Sequence, residues 1–156
     1  MSVSIYLPVY QILESKYSMA QQAKVTWQSN MAFEATVNGH TIIMDTDAAA
    51  GGNDSGPRPK ILLLAGLGGC TGMDVVSILS KMKVYPEKFW MEISAEMTDE
   101  HPKVYNQIKI IYYFKGENLE LDKLKKAVNL SKEKYCGVSA MLSKTAEIQS
   151  EIIIQD

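Results

Sequence analysis

The two cysteines of this chain, Cys70 and Cys136, are the residues best suited to carry chemistry. A thiolate is a strong nucleophile, and a pair of thiols can be oxidised to a disulfide and reduced again. Cys136 stands at the predicted start of a helix, where the dipole and unpaired N–H groups favour the thiolate form. Both residues are equally consistent with small buried side chains without reactivity, because most free cysteines are of that kind.

Other kinds of site find little support in the residues. Structural zinc sites use closely spaced ligands, whereas the two cysteines are far apart and the histidines, His40 and His101, are isolated. We therefore expect no metal and no other cofactor. A Ser/His/Asp triad has no local signature here. The basic residues include a single arginine, Arg58, and arginine is the side chain best suited to bidentate recognition of an anion.

Charge and the N-terminal residues bear on partners and location. A net charge of −2 offers no basic field for nucleic acid or for an anionic membrane. Residues 1–18 lack a basic region before an apolar run and lack a small-residue cleavage site, so we expect no secretory signal. The expected location is the cytoplasm, where cysteines are kept as thiols.

The hydrophobic pattern predicts an α+β protein with a mostly antiparallel sheet and a long central helix. The predicted strands are residues 24–28, 32–37, 41–45, 89–97, 104–114 and 147–155, and the predicted helices are 61–82, 119–132 and 136–144. Asn38-Gly39 is typical of a tight type I′ hairpin. Residues 51–57, GGNDSGP, predict a loop. We expect one domain over residues 23–156, preceded by an extension, residues 1–22.

The glycine-rich apolar run at residues 61–79 has three interpretations. A dinucleotide-binding turn after a strand would need strands and helices in alternation, yet two strands follow one another at residues 89–114. A membrane span would place Asp74 in the hydrocarbon region, at a cost of about 2.5–3.5 kcal/mol. A buried central helix is favoured, with its glycines explained by close approach of a sheet or of a second subunit.

Two motifs, each centred on a cysteine, resemble those of the OsmC/Ohr family. Residues 56–79, GPRPKILLLAGLGGCTGMDVVSIL, are similar to the central helix of that family. Residues 134–142, KYCGVSAML, are similar to its second cysteine motif. The order of strands and helices is also similar, and the resemblance covers residues 23–155.

The resemblance implies an intertwined homodimer with its active sites at the subunit interface. It also implies reduction of organic hydroperoxides in an oxidative stress response. Cys70 would be the thiolate that takes the distal peroxide oxygen and becomes a sulfenic acid. Cys136 would then condense with it to a disulfide, which an external thiol would reduce.

The sequence departs from the best-characterised peroxidases of the family where these place an activating glutamate and arginine. Residues 59–61 hold no carboxylate, and no arginine lies on an early strand. Arg58 and Lys60 are the candidates to supply positive charge instead. Asp74, one turn beyond Cys70, would raise rather than lower the thiol pKa. A non-catalytic protein that binds an apolar small molecule in the dimer-interface pocket, or a redox sensor, is therefore an alternative.

Overall fold

The computed structural model describes residues 21–155, so the predicted extension at residues 1–22 lies almost entirely outside the described residues. The chain divides after Arg58 into two compact units. Each unit contains one three-stranded sheet. The expectation that residues 23–156 form one domain stays a prediction.

The first unit is an antiparallel sheet of three short strands, β1 (Ala23–Ser29), β2 (Ala32–Val37) and β3 (His40–Met44). All three strands were predicted from their β-branched and aromatic residues. The turn between β2 and β3 has φ of 50° at Asn38 and 80° at Gly39. Positive φ at both positions is what a type I′ turn requires, so the predicted hairpin is confirmed.

The loop after β3 is organised around the carboxylate of Asp45, which is buried. Its oxygens accept hydrogen bonds from the backbone N–H of Thr46 (2.8 Å), Asn53 (3.0 Å) and Ser55 (3.1 Å), and from the Ser55 hydroxyl (2.7 Å). These hydrogen bonds lower the pKa of Asp45 from 3.8 to about 2, and the bond from the Ser55 hydroxyl has the largest effect. The loop is therefore built around a carboxylate that must be ionised.

We expect Asp45→Asn to destabilise the first unit at neutral pH, because the amide would turn a donor towards N–H groups that need an acceptor. A carboxyl with a depressed pKa stabilises the fold above pH 3.8, and this contribution is lost as the pH falls towards 2. The gap in melting temperature between wild type and variant should therefore shrink between pH 4 and pH 2. Asp54→Asn, which removes only an exposed ion pair, is the control. A gap that is constant across this pH range would contradict the assignment.

Apart from a short 3-10 helix at Ala48–Ala50 in the first unit, the remaining regular elements of the described residues lie in the second unit. They are α1 (Ile61–Lys81), β4 (Lys88–Met97), β5 (Tyr105–Lys115), α2 (Leu121–Leu130), a π-helical turn (Ser131–Tyr135), α3 (Gly137–Leu142) and β6 (Glu147–Gln155). Each helix and strand was predicted within a few residues of its bounds. β4 and β5 pair antiparallel, whereas β6 pairs parallel to β5. The parallel pairing follows from the connection, because α2 and α3 carry the chain back across the sheet.

The long helix α1 has a buried side and an open side. Gly68 and Gly72 are buried, and a Cβ on either would lie within 3 Å of the side-chain end of Ile93 or Met91 on β4. The predicted close approach of the sheet is therefore confirmed at these two glycines. A Cβ added to Gly66 or Gly69 would instead meet open space among the described residues, so these two glycines face outwards.

Helix α1 is long and apolar enough to cross a membrane by length and composition alone. In the structure, Leu67, Val75 and Leu79 on this helix are buried in the core of the second unit. Tyr112 and Phe114 of β5 are buried in the same core. This packing agrees with the prediction of a central helix.

Candidate active site

The two cysteines meet in the second unit. Cys70 lies on α1, and Cys136 is the residue immediately before α3. The sulfur atoms of Cys70 and Cys136 and a carboxylate oxygen of Asp74 all lie within 4.8 Å of one another. Asp74 reaches the cluster because residues four apart lie on the same face of a helix. The prediction that two distant segments bring their sulfurs together is confirmed.

A local irregularity of the backbone places Cys136. The chain leaves α2 through the π-helical turn, in which the Cys136 N–H donates to the Ser131 carbonyl at 2.8 Å. π-helical turns are uncommon and often occur at functional sites. Cys136 then caps α3, where its sulfur accepts a hydrogen bond from the Ser139 N–H at 3.3 Å. The thiol is buried.

The thiol of Cys136 is harder to ionise than an ordinary cysteine. Burial and the hydrogen bond with Cys70 raise its pKa to about 11, although the N–H groups of Ser139 and Val138 act in the opposite direction. The expectation that the helix N-terminus favours the thiolate here is therefore wrong. The N–H donors are present as expected, but removal of the thiol from water and the neighbouring sulfur outweigh them.

A chain of hydrogen-bonded hydroxyl groups ends at the third member of the cluster. Ser131 donates to the Asp74 carboxylate at 3.0 Å, and its oxygen lies 2.9 Å from the Thr71 hydroxyl. Thr71 in turn lies 3.1 Å from the Tyr112 hydroxyl, and the pKa of Tyr112 is raised by burial. Since Ser131 gives its one proton to Asp74, Thr71 donates to Ser131 and Tyr112 donates to Thr71. Thr71, Ser131 and Tyr112 are buried.

Sequence reasoning missed this series of hydrogen-bonded hydroxyl groups. Only the position of Asp74, one helical turn beyond Cys70, pointed to it. Ser131 and Tyr112 come from the π-helical turn and from β5, and no local motif marks either residue.

The two cationic residues proposed to support Cys70 are held by other groups. Arg58 forms ion pairs with Asp47 (3.1 Å) and Asp54 (2.9 Å) in the first unit. Lys60 donates to the Lys103 carbonyl at 2.8 Å in the second unit. A supporting role of Arg58 or Lys60 at the thiol stays a prediction.

The cluster of Cys70, Asp74 and Cys136 offers at most three donor atoms to a metal ion. Structural zinc sites have four protein ligands, and neither histidine of the described residues belongs to the cluster. The expectation of no metal and no cofactor stays a prediction.

An open apolar groove runs along α1 where the helix meets β4. It has a volume of about 660 Å³ and is lined mainly by small and apolar side chains. Its lining includes Gly69, Gly72, Met73, Val76, Phe89 and Met91. The wall formed by α1 combines outward-facing residues with the buried Gly68 and Gly72.

A pair of thiols, one on a long central helix and one at the start of a short helix, packed against a mixed sheet, defines a class of small α+β thiol proteins. Comparisons with known proteins agree. Residues 51–151 match the family model described as OsmC-like protein. The chain belongs to the OsmC-like family.

The chain is also similar to an individual relative and to solved structures. The chain is 34% identical to protein YhfA of Escherichia coli K12 over 128 residues, which are 81% of this chain and 92% of YhfA. A hypothetical protein from Aquifex aeolicus VF5 has a TM-score of 0.78 at 28% identity, covering 87% of this chain and 96% of that one. The organic hydroperoxide resistance protein OhrB of Bacillus subtilis has the same fold, with a TM-score of 0.63 at 19% identity, covering 85% and 98%.

Proposed function

We propose that this protein is a thiol peroxidase that reduces organic hydroperoxides to alcohols. The observation that carries the proposal is the meeting of Cys70 and Cys136, whose sulfurs lie within 4.8 Å of each other. A disulfide needs its sulfurs about 2.05 Å apart, so a small side-chain movement is enough to form the bond. The family includes organic hydroperoxide resistance proteins such as OhrB.

The two cysteines take different roles. Cys136 has a pKa of about 11 and is protonated at neutral pH, so it is a poor first nucleophile. Cys70 is the more exposed of the two. Cys70 is therefore assigned as the thiol that attacks the peroxide.

The reaction has two steps. The Cys70 sulfur attacks the distal oxygen of ROOH, the O–O bond breaks, and ROH leaves while Cys70 becomes a sulfenic acid. The Cys136 sulfur then attacks the Cys70 sulfur and displaces water, which gives the disulfide. An external dithiol reduces the disulfide and restores both thiols.

The functional unit is proposed to be a homodimer in the cytoplasm. The outward face of α1 consists of Gly66, Gly69, Met73, Val76, Ser77 and Ser80. These side chains are small or apolar and carry no charge. Such a face is suited to close contact with the same face of a second subunit around a twofold axis.

One equivalent of cumene hydroperoxide should convert the reduced protein to a form that lacks two titratable thiols per chain. Mass spectrometry of the digested protein should show the Cys70 and Cys136 peptides joined, with a mass two hydrogens lower than their sum. Reduction with a dithiol should restore both peptides. Hydrogen peroxide at the same concentration serves as a comparison of substrate class. Two thiols that survive the organic hydroperoxide would refute the peroxidase proposal.

The alternative function is binding of an apolar small molecule without turnover. The open groove along α1 favours it, as does the absence of the family's activating glutamate from residues 59–61. The same experiment separates the two functions. Inert thiols, together with an apolar compound that co-purifies with the protein and is detected after extraction, would support binding alone.

A further inference from the structure

We propose that Asp74 is the proton relay of the site, taking the thiol proton during attack and giving it to the departing oxygen. This inference rests on the peroxidase function proposed above and adds a residue to it. The observation behind it is the position of one carboxylate within 4.8 Å of both sulfurs. Reaction of a thiol with a hydroperoxide moves one proton from sulfur to the leaving alkoxide. An acid–base group at that distance can carry it through one bridging water, or directly once the contact tightens on substrate binding.

The hydroxyl chain holds the Asp74 carboxylate in place. Ser131 donates to one carboxylate oxygen at 3.0 Å, and Thr71 and Tyr112 orient Ser131 from behind. The Asp74 carboxylate accepts this hydrogen bond on one side, and its other lone pairs remain available to accept a proton from a thiol. The buried hydroxyl groups are satisfied by one another, and the series ends at the half-buried carboxylate of Asp74.

In the first step the Cys70 S–H proton passes to the Asp74 carboxylate as the sulfur bonds to the distal oxygen. The O–O electron pair leaves with RO⁻, which takes the proton from Asp74 and departs as ROH. In the second step the Cys136 proton follows the same route to the hydroxyl that leaves Cys70 as water. A thiol with a pKa of about 11 needs such a base, so a shared carboxylate accounts for the reactivity of both sulfurs.

The relay makes a prediction about leaving groups that a structural role does not make. An alkoxide leaving group requires a proton, whereas the acetate released from peracetic acid does not. Asp74→Asn should therefore slow the oxidation of Cys70 by tert-butyl hydroperoxide about 100-fold. It should slow the oxidation by peracetic acid at least about tenfold less, because only the removal of the thiol proton is then unassisted. The rates are measured by stopped-flow under single-turnover conditions. Asp99→Asn, at an exposed loop position, is the matched control and should change neither rate.

The results with the two oxidants distinguish failure of the relay from failure of the peroxidase function. The circular dichroism spectrum and the melting temperature of Asp74→Asn show whether the variant is folded. Equal losses with the two oxidants, or no loss with either, would overturn the relay alone. Wild-type protein that leaves both oxidants unreacted would overturn the peroxidase function, and the relay with it.

Discussion

Replacing Cys70 by serine should abolish hydroperoxide reduction, with a fall of at least about 1,000-fold in turnover, since loss of the attacking nucleophile costs several orders of magnitude in covalent catalysis. A serine hydroxyl is not ionised at neutral pH, and it has no oxidation states corresponding to the sulfenic acid. Consumption of cumene hydroperoxide in the presence of a dithiol reductant is the measurement.

Cys136→Ser is the matched variant, because it removes the other sulfur of the same pair. The first step should survive, so one equivalent of hydroperoxide should still oxidise Cys70, and a sulfenic-acid probe such as dimedone should label it. Without Cys136 no intramolecular disulfide forms, and further peroxide should carry Cys70 on to the irreversible sulfinic acid. Full turnover by Cys70→Ser, or a Cys70 that hydroperoxide no longer oxidises in Cys136→Ser, would contradict the assigned roles.

A glutamate in place of Met73 should convert the proposed dimer to monomers. Met73 lies at the centre of the outward face of α1 and is 72% exposed within one chain. In a symmetric dimer both copies of the new carboxylate would be buried near each other, which costs several kcal/mol. We expect the dimer dissociation constant to rise at least about 100-fold. Analytical ultracentrifugation over a range of protein concentrations measures it.

Met141→Glu is the control for this prediction, since Met141 is 67% exposed and lies on a different helix, α3. It should leave the association state unchanged. A wild-type protein that sediments as a monomer at all concentrations would contradict the dimer. Equal dissociation in both variants would show that the contact is not confined to the α1 face.

Much of the second unit was predictable because its elements are local. The alternation of β5 places Ile108, Ile110, Tyr112 and Phe114 on one face, and all four are buried. The spacing of Leu124 and Val128 predicts the amphipathic helix that is observed as α2. Backbone periodicity is set by neighbours two to four residues away, so a sequence displays it directly.

The pairing of β6 with β5 was less predictable. Runs of consecutive strands favoured antiparallel neighbours, and three of the four strand pairings in the described residues are antiparallel. The fourth is parallel, because the strand direction depends on where α2 and α3 return the chain. This is a property of the connection and not of the strand residues.

The sequence by itself determined the elements, the two candidate thiols and the family. The tertiary structure alone decided that Asp74 and the hydroxyl chain from Tyr112 join those thiols, and that the Cys136 pKa is raised despite its position at a helix N-terminus. The physical reason is that ionisation follows burial and the charges and donors within a few ångströms. At this site those groups come from α1, β5 and the π-helical turn, which are distant along the chain and meet only when it folds.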